Sequence, residues 1–152
     1  MTYRELAANV AMLSQKIRET GIEPGDRVAI LDVDSAEYLE SIYALALMGA
    51  IVVPLNYRHR VPELRYQIVH SGARLLLAGD RYRDSAEALC SDLALGWRLI
   101  DEFVVSTARN AAVPEDMAHL KSVNAGAPFA ICYTSGTTGR PKGAVLSQRS
   151  AY

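Results

Sequence analysis

Short apolar segments alternate along this chain with segments of helical periodicity, and this alternation constrains the fold more than any other feature. The apolar segments predict buried strands at residues 27–31, 50–54 and 74–78. Strands joined through helices form right-handed crossovers in a largely parallel sheet, with helices on both faces. The predicted fold class is therefore α/β, with a largely parallel sheet flanked by helices.

Capping residues, proline and glycine mark the predicted helices. Helix starts are predicted at two capping boxes, Thr2 with Glu5 and Asp34 with Glu37, and at Pro62 behind an N-cap at Val61. The same helices are predicted to end at Gly21, Gly49 and Gly72. The second helix is apolar on all sides over 42–48, so we expect it to be buried. A further helix is predicted over 85–95, a strand over 99–105 and a long connection over 106–126.

Residues 133–143, with the sequence YTSGTTGRPKG, concentrate groups that bind phosphate. The glycines allow backbone N–H groups to converge on an anion. Hydroxyls that can donate to phosphate oxygens or bind magnesium belong to Thr134, Ser135, Thr137 and Thr138. Lys142 adds a positive charge, which suits a triphosphate or a pyrophosphate. This segment is predicted to bind nucleotide phosphates.

A Walker A loop is the nearest alternative, and its spacing does not fit. That motif places Gly-Lys-Ser/Thr four residues after its first glycine and before a helix. Counting from Gly136 puts Pro141 at the second glycine, and counting from Gly139 puts Ala144 there. The flanks at 129–133 and 144–146 predict strands, so no helix N-terminus lies beneath the phosphates. A plain Gly/Ser/Thr turn is another alternative, but it leaves Lys142 unexplained.

Charge and composition exclude several functional classes. The 152 residues have a formal net charge of −1 and a pI near 6.3, which gives no basic footprint for nucleic acid or anionic lipid. Half of the residues are hydrophobic, enough for the core of one domain. The apolar runs are too short to span a bilayer, and no signal peptide is recognised at Met1.

Cysteine and histidine spacing gives no sign of a disulfide or a zinc site. Cys90 and Cys132 lie far apart without CxxC spacing, so they are predicted to be reduced, buried thiols of a cytoplasmic protein. The histidines are His59, His70 and His119, and none has a second ligand at metal spacing.

The segment YTSGTTGRPKGAV resembles the signature loop of the adenylate-forming enzymes, which include acyl- and aryl-CoA synthetases, firefly luciferase and the adenylation domains of peptide synthetases. Weaker likenesses at 25–29, 49–56 and 71–73 follow in the order seen in acyl-CoA synthetases, so the resemblance covers almost the whole chain. It implies that residues 1–152 are a partial N-terminal AMP-binding domain, with the rest of the large domain and the C-terminal domain beyond this sequence.

The resemblance also implies a two-step reaction. ATP and a small carboxylic acid give an acyl-adenylate and pyrophosphate, and the thiol of coenzyme A then takes the acyl group. It assigns phosphate contacts to Thr134, Ser135, Gly136, Thr137, Thr138, Gly139 and Lys142. It assigns catalytic roles to Thr137, Thr138 and Lys142, and a Mg²⁺ contact to Thr134.

Departures from the family leave alternatives open. The adenine-binding and ribose-binding segments and the catalytic lysine of the C-terminal domain have no match here, so residues 1–152 alone are predicted to be inactive. Their sheet is predicted to end in an apolar edge at 129–133. Gln148 stands where many members have His, which puts any acyl-site role of that position in doubt.

Three readings of the function therefore remain. Asn56, in the stretch 53–58, favours an acyl-CoA synthetase, because amino-acid adenylation domains usually carry Asp there. The alternatives are an amino-acid adenylation domain of a peptide synthetase and a non-catalytic remnant that binds nucleotide phosphate.

Overall fold

The computed structural model describes residues 2–104, 124–134 and 140–151. Its helices are α1 (Tyr3–Glu19), α2 (Ala36–Met48), α3 (Val61–Ser71), α4 (Arg83–Leu93) and α5 (Ile100–Val104). Its strands are β1 (Arg27–Leu31), β2 (Ile51–Pro54), β3 (Leu75–Ala78), β4 (Gly96–Leu99), β5 (Pro128–Thr134) and β6 (Lys142–Ser147). Short 3-10 turns occupy Asp80–Tyr82 and Gln148–Ala151.

The strands of the described residues form one sheet in the order β4-β3-β1-β2-β5-β6. Neighbouring strands are parallel except for β5 and β6, which form an antiparallel hairpin. Helices α1 and α2 pack on one face of the sheet, and α3 and α4 pack on the other. The predicted α/β class and largely parallel sheet are confirmed.

Both sides of β1 lie in hydrophobic cores. Val28 and Ile30 pack with α1 and α2, whereas Ala29 and Leu31 pack with α3 and α4, and all four are at most 1% exposed. Burying one large apolar side chain contributes about 1.5–3 kcal/mol to folding. The strand is therefore apolar at successive positions rather than at alternate ones.

The first helix begins as predicted, whereas the predicted start of the second is wrong by one residue. The Glu5 amide donates to Thr2 Oγ1 at 3.2 Å, and the Thr2 amide donates to Glu5 Oε2 at 2.6 Å. In α2 the N-cap is Ser35, whose Oγ accepts from the Tyr38 amide at 3.0 Å. Asp34 lies outside this cap because the hydroxyl that reaches the third helical amide is one residue further on.

The third helix also begins at a residue other than the predicted one. Arg60 is its N-cap, and the Arg60 amide donates to Glu63 Oε2 at 2.8 Å. Val61 is therefore the first helical residue and not the N-cap.

One face of α2 is exposed, contrary to the prediction that this helix is buried. Leu39 and Tyr43 are 41% and 48% exposed. Ala44, Leu45 and Met48 fill the core instead. Residues four positions apart share a helix face, so Leu39 and Tyr43 together form an outward apolar stripe.

The strand predicted over 99–105 is also wrong in its bounds. Strand β4 pairs Leu75 with Gly96 and Ala78 with Leu99, which uses the full length of β3. The chain then turns into α5, where Asp101 and Glu102 occupy a first turn that favours acidic side chains. Val105 lies outside the described residues.

Arg27 joins two of the family-like segments. Gly72, at the C-cap of α3, has φ of +65°, a conformation that favours glycine. The Arg27 guanidinium donates to the carbonyl oxygens of Ser71 at 3.1 Å and Gly72 at 2.8 Å. A Cβ on Gly72 would lie 2.9 Å from Arg27 Nη2, so both the conformation and the available space favour glycine.

The apolar edge of the sheet lies on β6, not on residues 129–133 as predicted. The hairpin folds β6 back along β5, so that β5 lies between β2 and β6. On β6, Val145 and Leu146 are 62% and 39% exposed.

The isolated chain is expected to associate through this edge. Exposed apolar edge strands pair with other chains, and a charged residue on the edge opposes such pairing. Light scattering at increasing concentration should therefore show oligomers, and Val145→Lys should reduce them. A monodisperse monomer that melts cooperatively would contradict this expectation.

Candidate functional site

Two of the predicted site residues lie opposite each other at one end of the β5–β6 hairpin. Thr134 is the last residue of β5, Lys142 is the first residue of β6, and the two are register partners. Both side chains are exposed. Opposite residues of an antiparallel pair point to the same face, with Cβ atoms about 4.5–5.5 Å apart. A hydroxyl and an ammonium group are therefore presented side by side.

The other predicted phosphate contacts lie outside the described residues. They are Ser135, Gly136, Thr137, Thr138 and Gly139. The roles assigned to them, including the catalytic roles of Thr137 and Thr138, stay predictions.

The hairpin end lies at the carboxyl edge of the parallel part of the sheet. Strand β5 runs parallel to β2, with Ala130 in register with Val52, so Thr134 and Pro54 end their strands at the same edge. Ligands of open α/β sheets bind outside the carboxyl ends of the strands. A cavity of about 920 Å³ opens there, lined in part by Asn56, Thr134 and Arg140.

A buried amide forms part of the cavity wall. Gln67 is 1% exposed, and its Nε2 lies 3.1 Å from His59 Nδ1. Its Oε1 has no hydrogen-bond partner among the described residues. Buried polar atoms in folded proteins are nearly always paired, so Oε1 offers an acceptor to a donor group or a water molecule in the cavity.

Helix α3 contacts β5 and the residue just before β6, two contacts that the sequence did not predict. The Tyr66 hydroxyl donates to the Pro141 carbonyl oxygen at 3.2 Å, and His70 Nδ1 shares a hydrogen bond of 2.8 Å with the Tyr133 hydroxyl. Tyr66 and His70 are four residues apart, on one face of a helix that the sequence did predict. That pairing was the available signal.

Burial controls the ionisation of side chains on β5 and α4. It raises the pKa of the Tyr133 hydroxyl, so this group stays neutral at physiological pH. It likewise raises the pKa of Cys132, and it raises the pKa of Cys90 to about 11. Both thiols are free and protonated, which makes them poor nucleophiles. Cys90 is buried as predicted, whereas Cys132 is only partly buried.

Gln148 lies in the 3-10 turn after β6. Its side chain is 5% exposed, and its Nε2 has no partner among the described residues. The backbone N–H of Gln148 donates to the Ala127 carbonyl oxygen at 2.8 Å. This hydrogen bond connects the end of β6 to the turn before β5. This contact gives the position a structural role, and an acyl-site role stays untested.

Within residues 2–104, 124–134 and 140–151, no helix is long and apolar enough to cross a bilayer. The same ranges contain no cluster of three or more His, Cys, Asp or Glu side chains able to hold a metal ion. The predicted Mg²⁺ contact depends on the exposed hydroxyl of Thr134, whose chemistry fits an oxygen-preferring ion.

The family model described as AMP-binding enzyme matches residues 1–152. Among curated proteins, a feruloyl-CoA synthase of an Amycolatopsis species is 37% identical over 147 residues, covering 97% of this chain and 28% of that protein. The fatty acid–[acyl-carrier-protein] ligase ScoC of Streptomyces coeruleorubidus is 32% identical over 158 residues, covering all of this chain and 29% of that protein. The chain therefore spans less than a third of the length of these relatives.

Solved structures contain the same fold. A Mycobacterium tuberculosis fatty acyl CoA synthetase superposes with a TM-score of 0.80 and 27% sequence identity, over 97% of this chain and 29% of the other. The match supports the α/β architecture with helices on both faces of the sheet.

Proposed function

This chain belongs to the AMP-binding enzyme family, and on that basis we propose that it forms the N-terminal, phosphate-binding part of an ATP-dependent acid–thiol ligase. The observation that carries the proposal is the pairing of Thr134 with Lys142 at the carboxyl edge of the sheet, beside the cavity. A hydroxyl and an ammonium group suit the outer phosphates of ATP.

The proposed reaction transfers an adenylyl group and then an acyl group. A carboxylate oxygen attacks the α-phosphorus of ATP, the bond to the β-phosphate breaks, and an acyl-adenylate and pyrophosphate form. The sulfur of a thiol then attacks the acyl carbon, and AMP leaves. Lys142 is proposed to bind the β- and γ-phosphates, where charge grows as pyrophosphate departs.

The residues around Lys142 are proposed to complete this phosphate site. Thr134, Ser135, Gly136, Thr137, Thr138 and Gly139 supply hydroxyl and backbone donors. When Mg²⁺ is bound, it neutralises phosphate charge, and the Thr134 hydroxyl is proposed to hold it.

Coenzyme A is the proposed acceptor, and an acyl carrier protein is the second candidate. The name of the feruloyl relative specifies coenzyme A, whereas that of ScoC specifies an acyl carrier protein. Asn56 Oδ1 accepts from the Arg58 backbone amide at 3.0 Å, a contact that Asp can also make, so the preference for acyl substrates at this position rests on the resemblance.

A full-length enzyme containing this chain should convert a simple carboxylic acid, ATP and coenzyme A to acyl-CoA. Mass spectrometry of reactions with aromatic, fatty and amino acids, each with coenzyme A or a carrier protein, tests this proposal. Products formed only from amino acids on a carrier would support the peptide-synthetase alternative. Failure to activate any acid would support the non-catalytic alternative.

The 152-residue chain alone is expected to give no pyrophosphate exchange with any acid. Catalysis requires ATP and the carboxylate to be aligned for in-line attack, and contacts to the outer phosphates do not supply that alignment. The purified chain, assayed beside its Lys142→Ala variant, tests this expectation. Exchange clearly above that of the variant would contradict it.

A further inference from the structure

Helix α3 contacts the hairpin immediately before each of the two described site residues. Tyr66 bonds to the carbonyl oxygen of Pro141, which directly precedes Lys142. His70 bonds to the hydroxyl of Tyr133, which directly precedes Thr134. One helix face thus contacts β5 and the residue before β6 at the level of the site.

Ring packing reinforces these hydrogen bonds. The Tyr66 and His70 rings stack with centroids 5.3 Å apart. The Tyr133 ring meets both edge-on, at 6.4 Å from Tyr66 and 5.7 Å from His70. Such arrangements restrict ring orientation. The three rings therefore form one unit, which we call the α3 clamp.

The apolar side chains that anchor α3 on the sheet are others than Tyr66 and His70, whereas Tyr133 packs against that core. Leu64 and Ile68 anchor α3 in the core and are 3% and 2% exposed. Tyr66 is only partly buried, and His70 is exposed. Removal of a polar atom from Tyr66 or His70 therefore leaves the hydrophobic core between α3 and the sheet intact.

We propose that Tyr66 and His70 are positioning residues, which set the spacing of Thr134 and Lys142 for the phosphates of ATP. This inference rests on the proposed function, because that spacing matters for the rate only if the hairpin binds a reacting nucleotide. Small displacements of positioned groups cost rate even when binding of the other substrate is unchanged.

The test is carboxylate-dependent ATP–pyrophosphate exchange in a full-length enzyme containing this chain. Tyr66→Phe keeps the ring and removes the hydroxyl, and we expect about a five-fold loss of exchange rate, the size of one net hydrogen bond. His70→Leu should cause a similar loss. His70→Asn keeps a polar atom near the position of Nδ1 and should restore most of the rate. Tyr43→Phe, on the exposed face of α2, is the matched control and should have no effect.

The outcomes separate this inference from the proposed function. Each clamp variant should change the exchange rate or the KM for ATP while the KM for the carboxylate stays constant. Wild-type rates in Tyr66→Phe and His70→Leu would overturn the positioning role and leave the function standing. An equal loss of affinity for both substrates, or no rescue by His70→Asn, would also overturn it. A wild-type enzyme without exchange would overturn both proposals.

Discussion

Lys142→Ala, in a full-length enzyme containing this chain, is expected to lower the rate of adenylation by about 10- to 100-fold. A hydrogen bond to a charged group contributes about 1.5–3 kcal/mol, and each 1.4 kcal/mol corresponds to about a tenfold change in rate. Lys142 lies at the exposed end of β6, so its removal disturbs no core contact. Because the bound charge grows as pyrophosphate leaves, the rate should fall more than the affinity for the carboxylate.

Pre-steady-state formation of the acyl-adenylate measures this effect directly. Arg18→Ala on α1 is the control, since Arg18 is an exposed cation that lines a pocket with Ile51 and Pro128, the first residues of β2 and β5, and so lies at the opposite edge of the sheet from Thr134 and Lys142. Thr137→Ala and Thr138→Ala should cause smaller losses, because neutral hydrogen bonds are roughly half as strong as charged ones. Unchanged adenylation in Lys142→Ala would refute the phosphate role of this lysine.

Gly143→Ala is expected to impair both folding of the hairpin and catalysis. A Cβ at this position would lie 2.7 Å from Ile131 Cγ2 and 3.4 Å from Tyr133 Cζ. The Ile131 methyl is on a β-branched carbon and cannot easily rotate away. The strands must therefore separate at this point, which would also displace the Tyr133 ring of the α3 clamp. Overpacking of this kind costs about 1–3 kcal/mol.

The loss of stability and activity should depend on the space available for a Cβ atom at the substituted position, not on the replacement of glycine as such. Gly96 on β4 is the matched control, because a Cβ there meets only Leu75 Cδ1 at 3.8 Å. Thermal melts and adenylation rates of Gly143→Ala and Gly96→Ala should therefore differ, with Gly96→Ala close to wild type. Similar behaviour of the two variants would contradict the close-approach explanation.

The parts of the fold that depend on local pattern were predicted well. Strand β1 has the predicted bounds because apolar residues at successive positions indicate a strand buried on both faces. The Thr2 cap was predicted because its partner lies three residues away.

The larger errors arose where tertiary contacts decide the outcome, whereas the misplaced N-caps of α2 and α3 were local errors of one residue. The length of β3 limits β4 to Gly96–Leu99, and this pairing is invisible in the local sequence. The same holds for the position of β6 at the sheet edge.

The candidate site also has a part that the local sequence predicted and a part that depends on tertiary contacts. The composition of the loop and its resemblance to a known signature pointed to Thr134 and Lys142, and the hairpin register places them opposite each other. The α3 clamp joins positions distant in sequence, Tyr66 with Pro141 and His70 with Tyr133. The spacing of Tyr66 and His70 places them on one helix face, but it does not identify their partners on a hairpin distant in sequence.

The most direct test of the proposed chemistry is to follow an oxygen atom from the carboxylate. A full-length enzyme containing this chain would be incubated with ¹⁸O-labelled carboxylic acid, ATP and coenzyme A, and the nucleotide product examined by mass spectrometry. Attack of the carboxylate on the α-phosphorus, followed by thiol attack on the acyl carbon, leaves one labelled oxygen on AMP. We therefore expect labelled AMP and unlabelled pyrophosphate, whereas ADP with labelled phosphate, or unlabelled AMP, would contradict adenylation by this family member.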